Sequence, residues 1–202
     1  MKKRCILIRH GKTPGNDERR YIGAKIDEEL SLSGKEEVIK RKDQILSIAG
    51  VCTLIFSSPM KRAMQTAKIL FDDRDIEIIE DLRETDFGSF EGKNYLELKD
   101  DEKYQLFIDS NGRSGFPGGE RIEDFIKRSA EGFFEAIIKS ISDNVVIVCH
   151  GGNIMAIMSS LTGKDFYDFQ VNNLDGYILE IETDGERVLD LTFDSIDQRI
   201  SS

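Results

Sequence analysis

Two short apolar runs, each closed by a histidine and a glycine, constrain this chain more than any other feature. They read Ile6-Leu7-Ile8-Arg9-His10-Gly11 and Val145-Val146-Ile147-Val148-Cys149-His150-Gly151-Gly152, and they hold both of the histidines among the 202 residues. A β-branched run of four to eight residues that stops at glycine reads as a buried strand. Open α/β sheets bind their ligands beyond the carboxyl ends of such strands, so both imidazoles should point into one crevice. Imidazole suits nucleophilic and proton-transfer work near neutral pH, and Arg9 directly precedes the first ring. Read from the residues alone, this is a phosphate site with a histidine nucleophile.

The remaining pattern supplies the frame. A first strand over about Arg4 to Arg9 leads into a loop with Gly11, Pro14, Gly15 and Asn16. Ser33, followed by Gly34-Lys35-Glu36, reads as the cap of a helix carrying Val38, Ile45, Leu46 and Ala49 and ending at Gly50. Thr53-Leu54-Ile55-Phe56 reads as a second strand, Ser57-Ser58-Pro59 as the entry to a helix that carries Arg62 and runs to about Phe71, and Ile76 to Ile79 as a third strand. From there to Glu120 short helical pieces alternate with polar loops, a cap region. Ile122, Phe125, Ile126, Ala130, Phe133, Phe134, Ile137 and Ile138 keep helical spacing. The strand Val145 to Cys149 feeds a helix through Ile154, Ile157, Met158 and Leu161 that Gly163 stops. A hairpin of Tyr177 to Glu182 and Val188 to Phe193, turning at Asp184-Gly185, ends the pattern. Ile196 to Ser202 has no evident partner and is expected to fray.

Strands alternating with helices predict an α/β fold of three α/β/α layers, with a mostly parallel central sheet, an antiparallel edge hairpin and a small helical cap. The length suits one domain over residues 1–202, with a cap insertion at about 85–120. The basic start, Met1-Lys2-Lys3-Arg4, reads as the approach to a strand, because Arg9 and His10 interrupt the apolar stretch before signal-peptide length. The longest apolar runs fall far below the ~20 residues that span a bilayer. Cys5, Cys52 and Cys149 all lie in or near strands and suit reduced thiols used as small core residues, which predicts a cytoplasmic location. Against 28 Lys and Arg stand 38 Asp and Glu, a formal charge of −10. That balance argues against nucleic acid and anionic membranes as partners, and it requires an anionic substrate to be captured locally.

Three strand ends carry Arg9-His10, Ser57-Ser58-Pro59 with Arg62, and His150-Gly151-Gly152. Two guanidiniums offer forked donors for phosphoryl oxygens, and the amides at the helix start after Gly152 favour an anion. Taken singly, Arg62 reads as a solvated helix arginine and Glu84 as a surface carboxylate. Taken together with the histidines, Glu84 becomes a proton-transfer candidate, with Asp86 and Glu91 as competitors that spacing does not separate. The acidic cluster Asp100-Asp101-Glu102 reads as a solvated face. A metal site of Cys5, His10, Cys149 and His150 is disfavoured, since cysteine and histidine fall on opposite faces of each strand.

These motifs resemble those of the histidine phosphatase superfamily, also called phosphoglycerate mutase-like. The resemblance rests on Leu7-Ile8-Arg9-His10-Gly11-Lys12-Thr13 with Asn16, a helix entry at Leu32-Ser33-Gly34, Ser57-Ser58-Pro59-x-x-Arg62-Ala63-x-Gln65-Thr66-Ala67, Leu82-Arg83-Glu84-Thr85-Asp86-Phe87-Gly88-Ser89-Phe90-Glu91-Gly92, Gly118-Gly119-Glu120 and His150-Gly151-Gly152, and so covers nearly the whole chain. It implies His10 as nucleophile, Glu84 as proton donor, His150 as a further catalytic residue, and Arg9, Asn16, Arg62 and Gly151 around the phosphate, with no metal and no cofactor. Within the family the chain resembles the phosphatase branch, near alpha-ribazole phosphatases and broad-specificity phosphatases. The expected substrate is a small phosphorylated metabolite, alpha-ribazole 5'-phosphate among them. The alternatives are a cofactor-dependent phosphoglycerate mutase and a non-catalytic phosphate-binding domain. Against the mutase, Lys99, Lys103 and Arg113 are offset by Asp100, Asp101, Glu102 and Asp109, which should discourage a bisphosphate. Departures from the family pattern are Lys12, which could add an anion contact, and Phe90 in place of a common tryptophan. Oligomeric state is not legible.

Overall fold

The computed structural model describes residues 1–52 and 54–201, without the side chains of Gln198 and Ser201. Its strands are β1 (Lys2–Arg9), β2 (Leu54–Ser57), β3 (Asp75–Ile78), β4 (Asn144–Cys149), β5 (Gly176–Thr183) and β6 (Val188–Ser195). Its helices are α1 (Pro14–Asp17), α2 (Leu32–Ala49), α3 (Lys61–Leu70), α4 (Tyr95–Leu98), α5 (Glu102–Asp109), α6 (Ile122–Lys139), α7 (Gly151–Thr162) and α8 (Ile196–Ser201), with single 3₁₀ turns at Glu80–Leu82, Gly88–Phe90 and Phe166–Phe169.

One six-stranded sheet runs in the order β3-β2-β4-β1-β5-β6. β3, β2, β4 and β1 pair in parallel, while β5 is antiparallel to β1 and β6 to β5. This is the three-layer α/β architecture expected from the alternation of strands and helices. Because side chains alternate across each strand, Cys5, Leu7, Val145, Ile147 and Cys149 pack beneath α6 and α7, whereas Ile6, Ile8, Val146 and Val148 pack beneath α2, α3 and α8. The central strands are buried on both faces, which explains their unbroken apolar runs.

Three local expectations change. The cap of α2 is Ser31, whose Oγ accepts from the Gly34 amide at 3.0 Å; Ser33 is exposed within the first turn. α3 starts at Lys61 with Met60 as its cap residue, so Pro59 stands just outside the helix. The tail does not fray over Ile196–Ser201: it forms α8, with Ile196 1% exposed against the β1 and β4 side chains. Thr53, read as the start of β2, and Ser202 lie outside the described residues.

The stretch from residue 85 to 120 builds a small aromatic core of its own, in which Phe90, Tyr104 and Phe107 are buried with Leu98 and are flanked by Tyr21, Phe87 and Phe116. Phe90 lies edge-on to both Tyr104 and Phe107, with centroids 5.3 and 5.7 Å away, the preferred geometry for such rings. Within the acidic cluster, Asp101 also caps α5 by accepting from the Lys103 and Tyr104 amides.

Candidate active site

β1, β4 and β2 are neighbours in the sheet and run in the same direction, so their carboxyl ends meet on one edge. Backbone bonds carry the alignment past the strands. The His10 amide donates to the Cys149 carbonyl at 3.0 Å, and the Ser58 amide to the Val148 carbonyl at 3.0 Å. As a result the His10 and His150 rings face each other edge-on, 5.0 Å between centroids.

Each imidazole is held in one tautomer. His10 Nδ1 lies 2.7 Å from the Gly11 carbonyl, which can only accept, so Nδ1 carries the proton and Nε2 carries the lone pair. Arg62 Nε can only donate, so at 3.2 Å it fixes His150 Nδ1 as an acceptor; His150 Nε2 then donates to Ser58 Oγ at 2.7 Å. Burial drives the proton affinity of both rings well below the ordinary histidine value, and Arg62 and Arg9 push in the same direction. Both are neutral near pH 7.

Arg62 is 1% exposed rather than solvated. Its guanidinium donates to the carbonyls of Ile22, Gly23 and Ile26 and so pins the loop after α1 over the site. Arg9 donates to the Val171 carbonyl at 2.7 Å, while its buried Nε has no partner among the described residues and sits beside Gly151. Asn16 Oδ1 accepts from the Thr13 amide and from Asn173 Nδ2, and its own side-chain N–H groups have no partner among the described residues.

Glu84 is 6% exposed, with Oε1 accepting from the Thr85 amide at 2.9 Å and Oε2 from the Gly152 amide at 3.3 Å. Burial raises its carboxyl above the ordinary value despite the opposing pull of those amides and of Arg62 and Arg9. Its competitors are otherwise engaged. Asp86 pairs with Lys25 at 2.9 Å and accepts from the Gly88 amide. Glu91 accepts from the Gly23 and Phe87 amides and ties two loops together. Lys12 turns to Glu37 at 3.0 Å, so it has a partner outside the site.

The structure thus brings together all of His10, His150, Arg9, Arg62, Glu84, Asn16 and Gly151. Arg9 borders two cavities, one of about 440 Å³ shared with Asn16 and Asn173, the other of about 210 Å³ shared with Glu84, Gly151 and Gly152. Two participants were not singled out from sequence. Ser58, the partner of His150, lies inside a motif whose arginine drew the attention. Asn173, which donates to the His10 carbonyl at 2.9 Å and to Asn16 Oδ1 at 3.2 Å, comes from a loop without periodicity.

Similarity to known proteins agrees with this arrangement. A family model for the histidine phosphatase superfamily, branch 1, matches residues 5–194. Phosphoserine phosphatase 1 of Hydrogenobacter thermophilus is 30% identical over 187 residues, covering 89% of this chain and 87% of its own. A 2,3-bisphosphoglycerate-dependent phosphoglycerate mutase of Gloeobacter violaceus is 29% identical, over 77% of this chain and 74% of its own. Among solved structures, a phosphoserine phosphatase from Entamoeba histolytica in complex with 3-phosphoglyceric acid superposes with a TM-score of 0.74 at 26% identity, over 94% of this chain and 96% of that one. The alpha-ribazole phosphatase of Shigella flexneri shares the fold, with a TM-score of 0.75 at 24% identity over 92% and 93% of the two chains. The chain is therefore a phosphatase-family protein, a member of branch 1 of the histidine phosphatase superfamily.

Proposed function

We propose that the protein hydrolyses a small phosphate monoester through a phosphohistidine on His10. The observation that carries this reading is the His10 tautomer: the 2.7 Å bond from Nδ1 to Gly11 leaves Nε2 as a neutral nucleophile within a cluster of two guanidiniums and a second imidazole. In the first step a bond forms between His10 Nε2 and phosphorus as the ester P–O bond breaks, and Glu84 gives its proton to the departing oxygen. Arg9, Arg62 and His150, with Asn16 and the amides around Gly151, stabilise charge on the equatorial oxygens. In the second step water attacks phosphorus, its proton returns to Glu84, and the P–N bond breaks to release phosphate.

Glu84 suits both roles because burial raises its affinity for a proton, and His10 suits attack because the same burial lowers its own. The relatives' names point to phosphoserine, phosphoglycerate and alpha-ribazole phosphate as ester types to try. The test is a phosphate-release assay on such esters, with samples quenched in alkaline detergent during turnover. Wild-type protein should yield an acid-labile, base-stable phosphoprotein, and His10→Ala should lose both that species and turnover. A His10→Ala protein that keeps its rate would overturn the mechanism.

A further inference from the structure

Beyond Glu84 the site opens into a compartment of a different character. A cavity of about 170 Å³ is lined by Phe87, Phe107, Phe116, Phe125, Phe166 and Met155, among others, and almost all of its lining surface is apolar. It borders the smaller catalytic cavity through Phe87, Gly152 and Met155, which line both. Gly152 is the joint. Its amide holds Glu84 Oε2 at 3.3 Å, and a Cβ there would fall 2.3 Å from Glu84 Oε1 and 3.0 Å from the Phe125 ring. Proton donor and aromatic wall therefore meet at a single backbone position with no room for a side chain. Tyr167 also lines the compartment, and its hydroxyl would lie 2.0 Å from a Cβ on Gly112, a residue with φ of 78°.

Geometry restricts which cavity receives the alcohol half of the ester. The departing oxygen must come within hydrogen-bond reach of the Glu84 carboxyl, so the carbon attached to it begins on the Glu84 side. The larger polar cavity, with Arg19 and Arg20, shares Arg9 with the Glu84 cavity but neither Glu84 nor Gly152. The aromatic one begins at Gly152. Among the described residues no Lys, Arg, His, Asp or Glu lines it, so a carboxylate or ammonium seated there would lose its hydration without a charged partner. Its volume is close to that of an apolar cavity of about 150 Å³ that accepts benzene.

Resting on the phosphatase reading above, we infer that the substrate class is phosphate monoesters with an uncharged, aromatic or similarly compact apolar alcohol portion, seated in the pocket walled by Phe87, Phe116 and Phe166. Charged esters such as phosphoserine are then poor substrates. The test compares kcat/KM for benzyl phosphate, ethyl phosphate and O-phosphoserine, all alkyl esters whose departing oxygens need a proton, so that leaving-group strength does not mimic pocket binding. Benzyl phosphate should exceed each of the others by at least tenfold. Phe166→Ala should lower the benzyl-to-ethyl ratio at least fivefold. Turnover of ethyl phosphate with no benzyl preference, or a preference for phosphoserine, would overturn the inference and leave the phosphatase reading standing. Absence of turnover with all three, and of a phosphoprotein on His10, would overturn both.

Discussion

Burial at the residue scale sets the ionisation of three side chains in opposite senses. His10 and His150 hold a proton less readily than free imidazole, and Glu84 holds one more readily than a free carboxyl. Activity should therefore decline on the alkaline side as Glu84 ionises, while the acidic side is spared loss of the nucleophile until well below pH 6.5. Glu84→Gln should lower kcat on an alkyl ester by about 10²–10⁴, less on an aryl ester whose oxygen leaves without a proton, and should remove the alkaline limb of the profile. Stability carries the complementary signature. Below pH 6.5 the unfolded chain protonates both imidazoles while the folded chain does not, so folding weakens as pH falls; Glu84 acts in the reverse sense above its ordinary value of 4.5. Two imidazoles outweigh one carboxyl, so the net effect is a loss of stability as pH falls below 6.5. Urea midpoints measured at pH 7.5 and 5.5 would show it, and a His10→Gln, His150→Asn double variant with an undiminished pH slope would refute the assignment.

The element that braces the nucleophile is α2. Gly34, in its first turn, lies so close to the loop after His10 that a Cβ would sit 2.1 Å from the Lys12 carbonyl, and Val38 closes on Gly11 from the next turn. Gly34→Ala should push the helix off that loop, lowering stability by about 1–3 kcal/mol and kcat with it. Ser31→Ala should cost about 1 kcal/mol through the lost cap, whereas Ser33→Ala, exposed on the same helix, should stay within about 0.5. Chemical denaturation of the three variants distinguishes these outcomes. Sequence pattern located β1, β4 and α6 to within one or two residues, because their periodicity is dictated by burial on faces that the sheet itself creates. It misplaced the α2 cap, since Ser31 and Ser33 are both acceptable caps and only the contact of Gly34 with Lys12 selects between them. It missed α8 because that helix is short and depends on Ile196 reaching a core assembled from residues far away in the chain. The site followed the same rule. His10, Arg9 and His150 were legible at strand ends, Glu84 needed family likeness to separate it from Asp86 and Glu91, and Asn173 was hidden in the aperiodic loop between the Phe166–Phe169 turn and β5.

Over the whole molecule the balance of charge opposes the capture of an anion at the site. A chain with a formal charge of −10 repels a phosphate ester at long range, yet Arg9, Arg19 and Arg20 gather around the catalytic opening. Which field an approaching dianion feels depends on ionic strength. At 0.01 M salt the screening length is about 30 Å, comparable to the width of a domain of this size, and the summed negative charge acts; at 0.15 M it is about 8 Å, and only the arginines near the opening remain in range. Arg20 is partly neutralised already by Glu18 and by Glu97, which weakens the local field further at distance. Raising salt from 0.01 to 0.15 M should therefore increase kcat/KM for a dianionic ester severalfold, the opposite of an enzyme that steers its substrate by long-range attraction. Initial rates at substrate concentrations far below KM, with a non-binding salt such as sodium chloride, give the measurement. A steady fall in kcat/KM over that range would mean that the arginine cluster outweighs the rest of the surface even at long range, and that the net charge plays no part in substrate approach.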